Sequence, residues 1–188
     1  MNRNLRFVAG LTLLAACWIA TPSSWAKSAP QSTPQVAPAT VLDQMLTRYE
    51  HEMVPLVEAM PADKFDFAPT TGQFTGVRTF AQQVKHVTEA NYNLFGSISS
   101  TAPANHPNVA DLKTKDQIVQ ALQDSINYGH QVIATITPQN AFEAMGTGKD
   151  VTTRAGTAAF AIAHGFDHYG QLVEYLRMNG IIPPASRH

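Results

Sequence analysis

The feature that most constrains this chain is the spacing of its large apolar side chains. They recur every three or four residues over four separate stretches, and no stretch alternates convincingly between apolar and polar. That repeat marks a helix with one buried face, whereas a half-buried strand needs a period of two. In residues 40–60 the stripe is Leu42, Met45, Leu46, Tyr49, Met53, Leu56, Val57 and Met60. Pro55 falls inside it, lacks an N–H, and predicts a kink or break near Glu52. A second stripe over residues 77–98 holds Phe80, Val84, Val87, Leu94 and Phe95. A third opens at Thr114, with Gln117 placed as in a capping box, and runs through Ile118, Leu122, Ile126, Ile133 and Ile136 to a stop at Pro138. The fourth covers residues 153–179 and ends at Gly180, with Pro183 and Pro184 beyond. Residues 61–76 carry Pro61, Pro69, Gly72 and Gly76 and read as a connection pinned by Phe65, Phe67 and Phe74. A loop through Pro103 and Pro107 and another over residues 140–151 complete the chain, which predicts an all-α four-helix bundle over residues 40–184.

Residues 1–26 have a different character. Arg3 and Arg6 precede a run from position 7 to 20 that is apolar apart from Thr12, and Ser24-Trp25-Ala26 supplies small residues two positions apart. This is the layout of a signal peptide, and the run is shorter than the roughly 20 apolar residues of a membrane span. Residues 27–39, rich in Pro, Ser, Gln and Thr, read as a disordered linker. The expected location is therefore periplasmic or secreted. Leu14-Ala15-Ala16-Cys17 offers an alternative, a lipobox whose lipidated Cys17 would anchor the protein to a membrane, although Trp18-Ile19-Ala20 continues the apolar run past it.

Cleavage after Ala26 would remove the only cysteine, and with it any disulfide, thiol nucleophile or thiolate ligand. It would also leave 11 basic against 14 acidic residues, a formal charge of −3. Such a balance gives no nucleic-acid footprint. A small-molecule substrate or a second copy of the chain, as a homodimer, is the partner that remains.

Seven histidines are the chemistry this chain retains. His164 and His168, four apart, share one helical face with Ala161, Leu172 and Tyr175. Their Cβ atoms would sit about 5–6 Å apart, close enough to share an ion. The same spacing also suits a half-exposed pair that serves only solubility. His86 lies mid-helix beside an apolar stripe, a position compatible with simple packing or with a third nitrogen ligand. His51 and His130 have no companion at helical spacing and read as surface or packing residues; His106 precedes Pro107 in a loop, and His188 is terminal. Asp167 projects about 100° away from His168, where it orients a neighbour or meets solvent. Glu89 follows His86 by one turn and is either a general base or an exposed carboxylate.

Three segments carry a family resemblance. Met60-Pro61-Ala62-Asp63-Lys64-Phe65-Asp66-Phe67-Ala68-Pro69 looks like the segment after the first helix of the DinB family. Phe80-Ala81-Gln82-Gln83-Val84-Lys85-His86-Val87 is similar to the family's second-helix histidine motif. His164-Gly165-Phe166-Asp167-His168-Tyr169-Gly170-Gln171, followed by Tyr175-Leu176-Arg177-Met178-Asn179-Gly180-Ile181-Ile182-Pro183-Pro184, resembles its last helix and exit. The resemblance covers about residues 41–184. It implies a bundle of the DinB/YfiT type in which His86, His164 and His168 hold one divalent metal ion, Zn²⁺, Ni²⁺ or Mn²⁺. It further implies either a metal-dependent hydrolase or group transferase, with Glu89 as candidate base and Gln171 as candidate orienting residue, or a non-catalytic stress-related or sensing bundle. Thiol-using relatives act in the cytoplasm, so an export signal is a departure from them. Ordinary histidines would release the ion as pH falls below about 6.5.

Overall fold

A computed structural model describes residues 34–72, 75–99 and 106–187. The expected signal peptide, Cys17, most of the linker, Phe74, Pro103 and His188 lie outside the described residues. The four helices are α1 (Pro38–Ala59), α2 (Phe80–Ile98), α3 (Lys115–Ile133) and α4 (Arg154–Met178). α1 starts two residues before the expected point because Pro38, with no N–H to satisfy and its φ already helical, suits a first-turn position. It then runs unbroken through Pro55.

Side chains set the other starts. Thr79 accepts from the Gln82 N–H while Gln82 Oε1 accepts from the Thr79 N–H, a reciprocal box that starts α2 three residues later than its stripe suggests. Thr114 and Gln117 do the same for α3, as their spacing predicts. The Thr153 hydroxyl accepts from the Gly156 N–H to cap α4. At its other end Gly180 takes φ +72°, letting its N–H reach the Arg177 carbonyl and the Ile181 N–H reach that of Leu176. That pair of bonds satisfies carbonyls the helix leaves over.

α3 ends at Ile133 rather than at Pro138, and Ile136 is buried from the turn that follows. The loop expected over residues 140–151 contains a feature the periodicity did not signal. Strand β1 (Ala144–Met145) pairs antiparallel with β2 (Thr152–Thr153), a two-residue ladder that delivers Thr153 to its capping position.

The helices do not pack in sequence order. α1 lies against α3 and α4, and α2 against the same two, so α1 and α2 face each other across the bundle diagonal. Contacts give the directions. Gly165 and Phe166 of α4 meet Tyr49 of α1, while Glu52 bonds Tyr169 one turn on, so these two helices run parallel. Asn91 with Ser125 and Phe95 with Gly129 make α2 and α3 parallel. Tyr175 with the Arg78 carbonyl and His86 with His164 make α2 and α4 antiparallel. Lys115 at the start of α3 donates to the Glu58 and Met60 carbonyls at the end of α1, 2.6 and 2.9 Å away, so this pair is antiparallel too. The result is an up-down-down-up bundle, and its diagonal and parallel crossings explain why every connection is long.

Leu46, Met53, Leu56, Phe80, Phe95, Leu122, Ile126, Ile133, Ile162 and Leu172 fill the centre with almost no exposure. Fully burying one such side chain stabilises the fold by about 1.5–3 kcal/mol. The connection after α1 closes one end. Phe65 and Phe67 accept backbone bonds from Ala81 and Phe80, and their rings meet Phe80 and Tyr175 edge-on. These contacts fix α2 against α4 about two turns from His86 and His168.

Candidate metal centre

Because α2 and α4 run antiparallel and in contact, the face of α2 that carries His86 opposes the face of α4 that carries His164 and His168. The ring centroids lie 5.3 Å apart for His86 and His164, 4.9 Å for His86 and His168, and 4.4 Å for His164 and His168. One nitrogen from each ring lies within 4.8 Å of the others, and this is the one such cluster of three metal-binding side chains among the described residues.

Two details test whether the three fit an ion. His164 Nε2 and His168 Nε2 face each other at 3.0 Å, a little under the roughly 3.3 Å that separates two nitrogens bound to one tetrahedral zinc. His164 Nδ1 is buried with no hydrogen-bond partner. An ion held by the facing Nε2 atoms would satisfy both of them, while His164 Nδ1, a separate atom of its ring, would still lack a partner. Three imidazole nitrogens are a donor set that could hold a divalent metal ion.

The electrostatics favour the neutral rings that ligation requires. Burial pushes the His168 pKa down to about 4, and the positive forms of His164 and His86 and the Arg78 guanidinium push the same way against Asp167. Burial also lowers His86, with Arg78 and His164 adding to it and Glu89 opposing. His164 is lowered chiefly by burial, with Asp167 opposing and Arg78 reinforcing.

The remaining candidates separate clearly. Glu89 is exposed and makes no hydrogen bond, yet its charge reaches His86. Gln171 and Asp167 are joined, Gln171 Nε2 donating to Asp167 Oδ2 at 2.8 Å. His51 is exposed on α1 and is not part of the cluster. His130 is neither idle surface nor plain packing. It ties α3 to α1, with Nδ1 2.6 Å from Asp43 and Nε2 3.4 Å from Glu50. His106 stacks on Tyr92 at 4.5 Å.

Sequence reasoning missed two residues. Gln83 is 3% exposed and its Nε2 donates to His168 Nδ1 at 2.7 Å and to Gln171 Oε1. Its position one turn before His86, on the same face, was the available signal. Arg78, just before the Thr79 cap, acts on all three rings and had no signal of its own. A cavity of about 510 Å³ lined by Val41, Gln44, Met45, Arg48 and Phe166 contains none of the three histidines.

A family model described as the DinB superfamily matches residues 45–172, which is more than half of the chain. The protein belongs to the DinB superfamily. Its fold is also similar to the crystal structure of a DinB-like protein from Bacillus subtilis, with a TM-score of 0.58. That alignment covers 74% of this chain and 92% of the other at 13% identity, a likeness of fold alone. No curated protein matches the chain in sequence. The DinB bundle found here thus agrees with the fold its apolar stripes predict. No helix among the described residues is long and apolar enough to cross a membrane.

Proposed function

We propose that this DinB protein is exported and uses His86, His164 and His168 to hold one divalent ion for hydrolysis or group transfer on a small molecule. The observation that carries the reading is the convergence of three imidazole nitrogens within 4.8 Å from two helices. Such an ion supplies Lewis acidity, polarising an electrophile and making water or a thiol nucleophilic near neutral pH. The chain's own residues do the rest. The depressed pKa values keep the three rings uncharged at neutral pH, each with one nitrogen free to ligate. Glu89, exposed and within electrostatic reach of His86, is the candidate proton acceptor in this reading. Arg78 offers positive charge to an anionic group of the substrate.

No fourth His, Cys, Asp or Glu joins the cluster among the described residues. Catalytic sites keep a position open in this way, whereas structural ones close it with protein ligands. The reading therefore favours an enzyme over a stabilising or sensing bundle. Loading the purified protein with Co²⁺ tests this. Visible bands that shift when azide or a small thiol is added mark an exchangeable position; bands indifferent to both would favour the non-catalytic alternative.

A further inference from the structure

We infer that Asp167, Gln171 and Gln83 form a directional amide relay that fixes which nitrogen of His168 carries its proton, and that this relay must reverse before His168 binds an ion. The first half stands on hydrogen bonds alone; the second rests on His168 being a ligand.

The direction is set from the surface inward. A carboxylate only accepts, so Asp167 Oδ2 requires the amide nitrogen of Gln171, which is the nitrogen it receives. Gln171 must then turn its oxygen toward Gln83, and that oxygen accepts from Gln83 Nε2. The same Gln83 nitrogen donates its second hydrogen to His168 Nδ1 at 2.7 Å. A neutral imidazole that accepts at Nδ1 carries its proton on Nε2. His168 Nε2 in turn faces His164 Nε2 at 3.0 Å and donates to it, which leaves the proton of His164 on Nδ1. That atom is the buried one without a partner. One chain of donors thus runs from an exposed carboxylate to the orphaned nitrogen of the cluster.

This tautomer is the wrong one for ligation. The nitrogen of His168 that faces the other histidines is Nε2, and a ligating nitrogen carries no proton. An ion therefore shifts the His168 proton to Nδ1, where it needs an acceptor. Gln83 meets that need by a half-turn of its amide that brings Oε1 to Nδ1. Gln171 must then donate to Gln83, and its oxygen turns toward Asp167, which cannot donate. Gln83 is a positioning residue that acts through His168, and Asp167 is a latch that opposes loading.

Long-range ¹H–¹⁵N correlation spectra at pH 8, where the rings are neutral, read the tautomer directly. Metal-free wild type should show His168 protonated at Nε2, and Zn²⁺ should convert it to Nδ1. Asp167→Asn, which can donate as well as accept, should raise the Nδ1 fraction before any metal is added. It should also raise zinc affinity by about threefold despite removing a negative charge near a cation. Gln83→Glu, an acceptor only, should hold His168 at Nδ1–H throughout and tighten zinc binding about tenfold. Metal-free wild type with His168 protonated at Nδ1, or an Asp167→Asn protein with the wild-type tautomer, overturns the relay. Zinc bound by all three histidines with no change of His168 tautomer overturns it too and leaves the metal reading intact. Tautomers that respond as expected in a protein that binds no zinc sustain the relay's first half and sink the metal reading instead.

Discussion

Gly165 lies flat against the buried ring of Tyr49, so close that a Cβ at this position would stand 2.6 Å from Tyr49 Cε2 and 2.7 Å from Cζ. The absence of a side chain lets α4 approach α1, and His164 is the next residue along. The Tyr49 ring is 1% exposed and also meets Phe166 edge-on, so it has no room to retreat. Gly165→Ala should therefore destabilise the protein by about 1–3 kcal/mol through overpacking. Gly170, five residues on in the same helix, has nothing within 4 Å of its would-be Cβ. Gly170→Ala should stabilise by roughly 0.5–1 kcal/mol, because only helix propensity changes. Calorimetric melting of the two variants checks the contrast, and equal shifts would contradict the close approach.

Metal content separates ligands from other buried histidines. Wild type should carry close to one divalent ion per chain, and His86→Ala, His164→Ala or His168→Ala should lower zinc affinity by more than about 100-fold. His51→Ala should change neither metal nor melting. His130→Ala should lower the melting temperature, because it leaves Asp43 and Glu50 unpaired, while metal content stays at the wild-type level. Elemental analysis with titration calorimetry reads both effects. Equal metal in wild type and the three cluster variants would leave the site without an ion.

The depressed histidines give the metal-free bundle a pH dependence of definite sign. An unfolded histidine titrates near 6.5, whereas His168 in the fold titrates near 4. Between those values the unfolded chain holds a proton that the folded one refuses, so stability falls as pH drops through this window and is steady above it. His86 and His164 shift in the same direction and add to the slope. Melting temperature measured from pH 8 to 5 should fall below about 6.5. His168→Leu should flatten the slope, and a melting temperature that rises on acidification would contradict the burial. By the same argument, protons should displace the ion only at a pH below the 6.5 that ordinary histidines would set.

Export has a direct readout. If residues 1–26 are a cleaved signal, the secreted or periplasmic protein begins at Lys27, and intact-mass spectrometry should find that start. A protein beginning at a lipid-modified Cys17 would place it on a membrane instead.

The sequence by itself determined what depends on the geometry of one helix. Residues advance about 100° and 1.5 Å each along a helix, so a stripe such as Ile118, Leu122 and Ile126 declares its buried face before any partner is known. The Thr114 and Gln117 box, the Gly180 stop and the shared face of His164 and His168 are local in the same sense, and all are present. The Thr79 and Gln82 box was equally local and was masked by Val77, whose apolar side chain extends the stripe past the true start. What the tertiary structure decided is which faces meet. Nothing within α2 says that His86 opposes α4, that Gln83 is buried by α4 and bonded to His168, or that His130 on α3 lies between Asp43 and Glu50 on α1. Those pairings follow from an up-down-down-up order in which α1 and α2 lie across the diagonal. That order comes from burying four stripes at once, a condition on the whole chain that no single stripe contains.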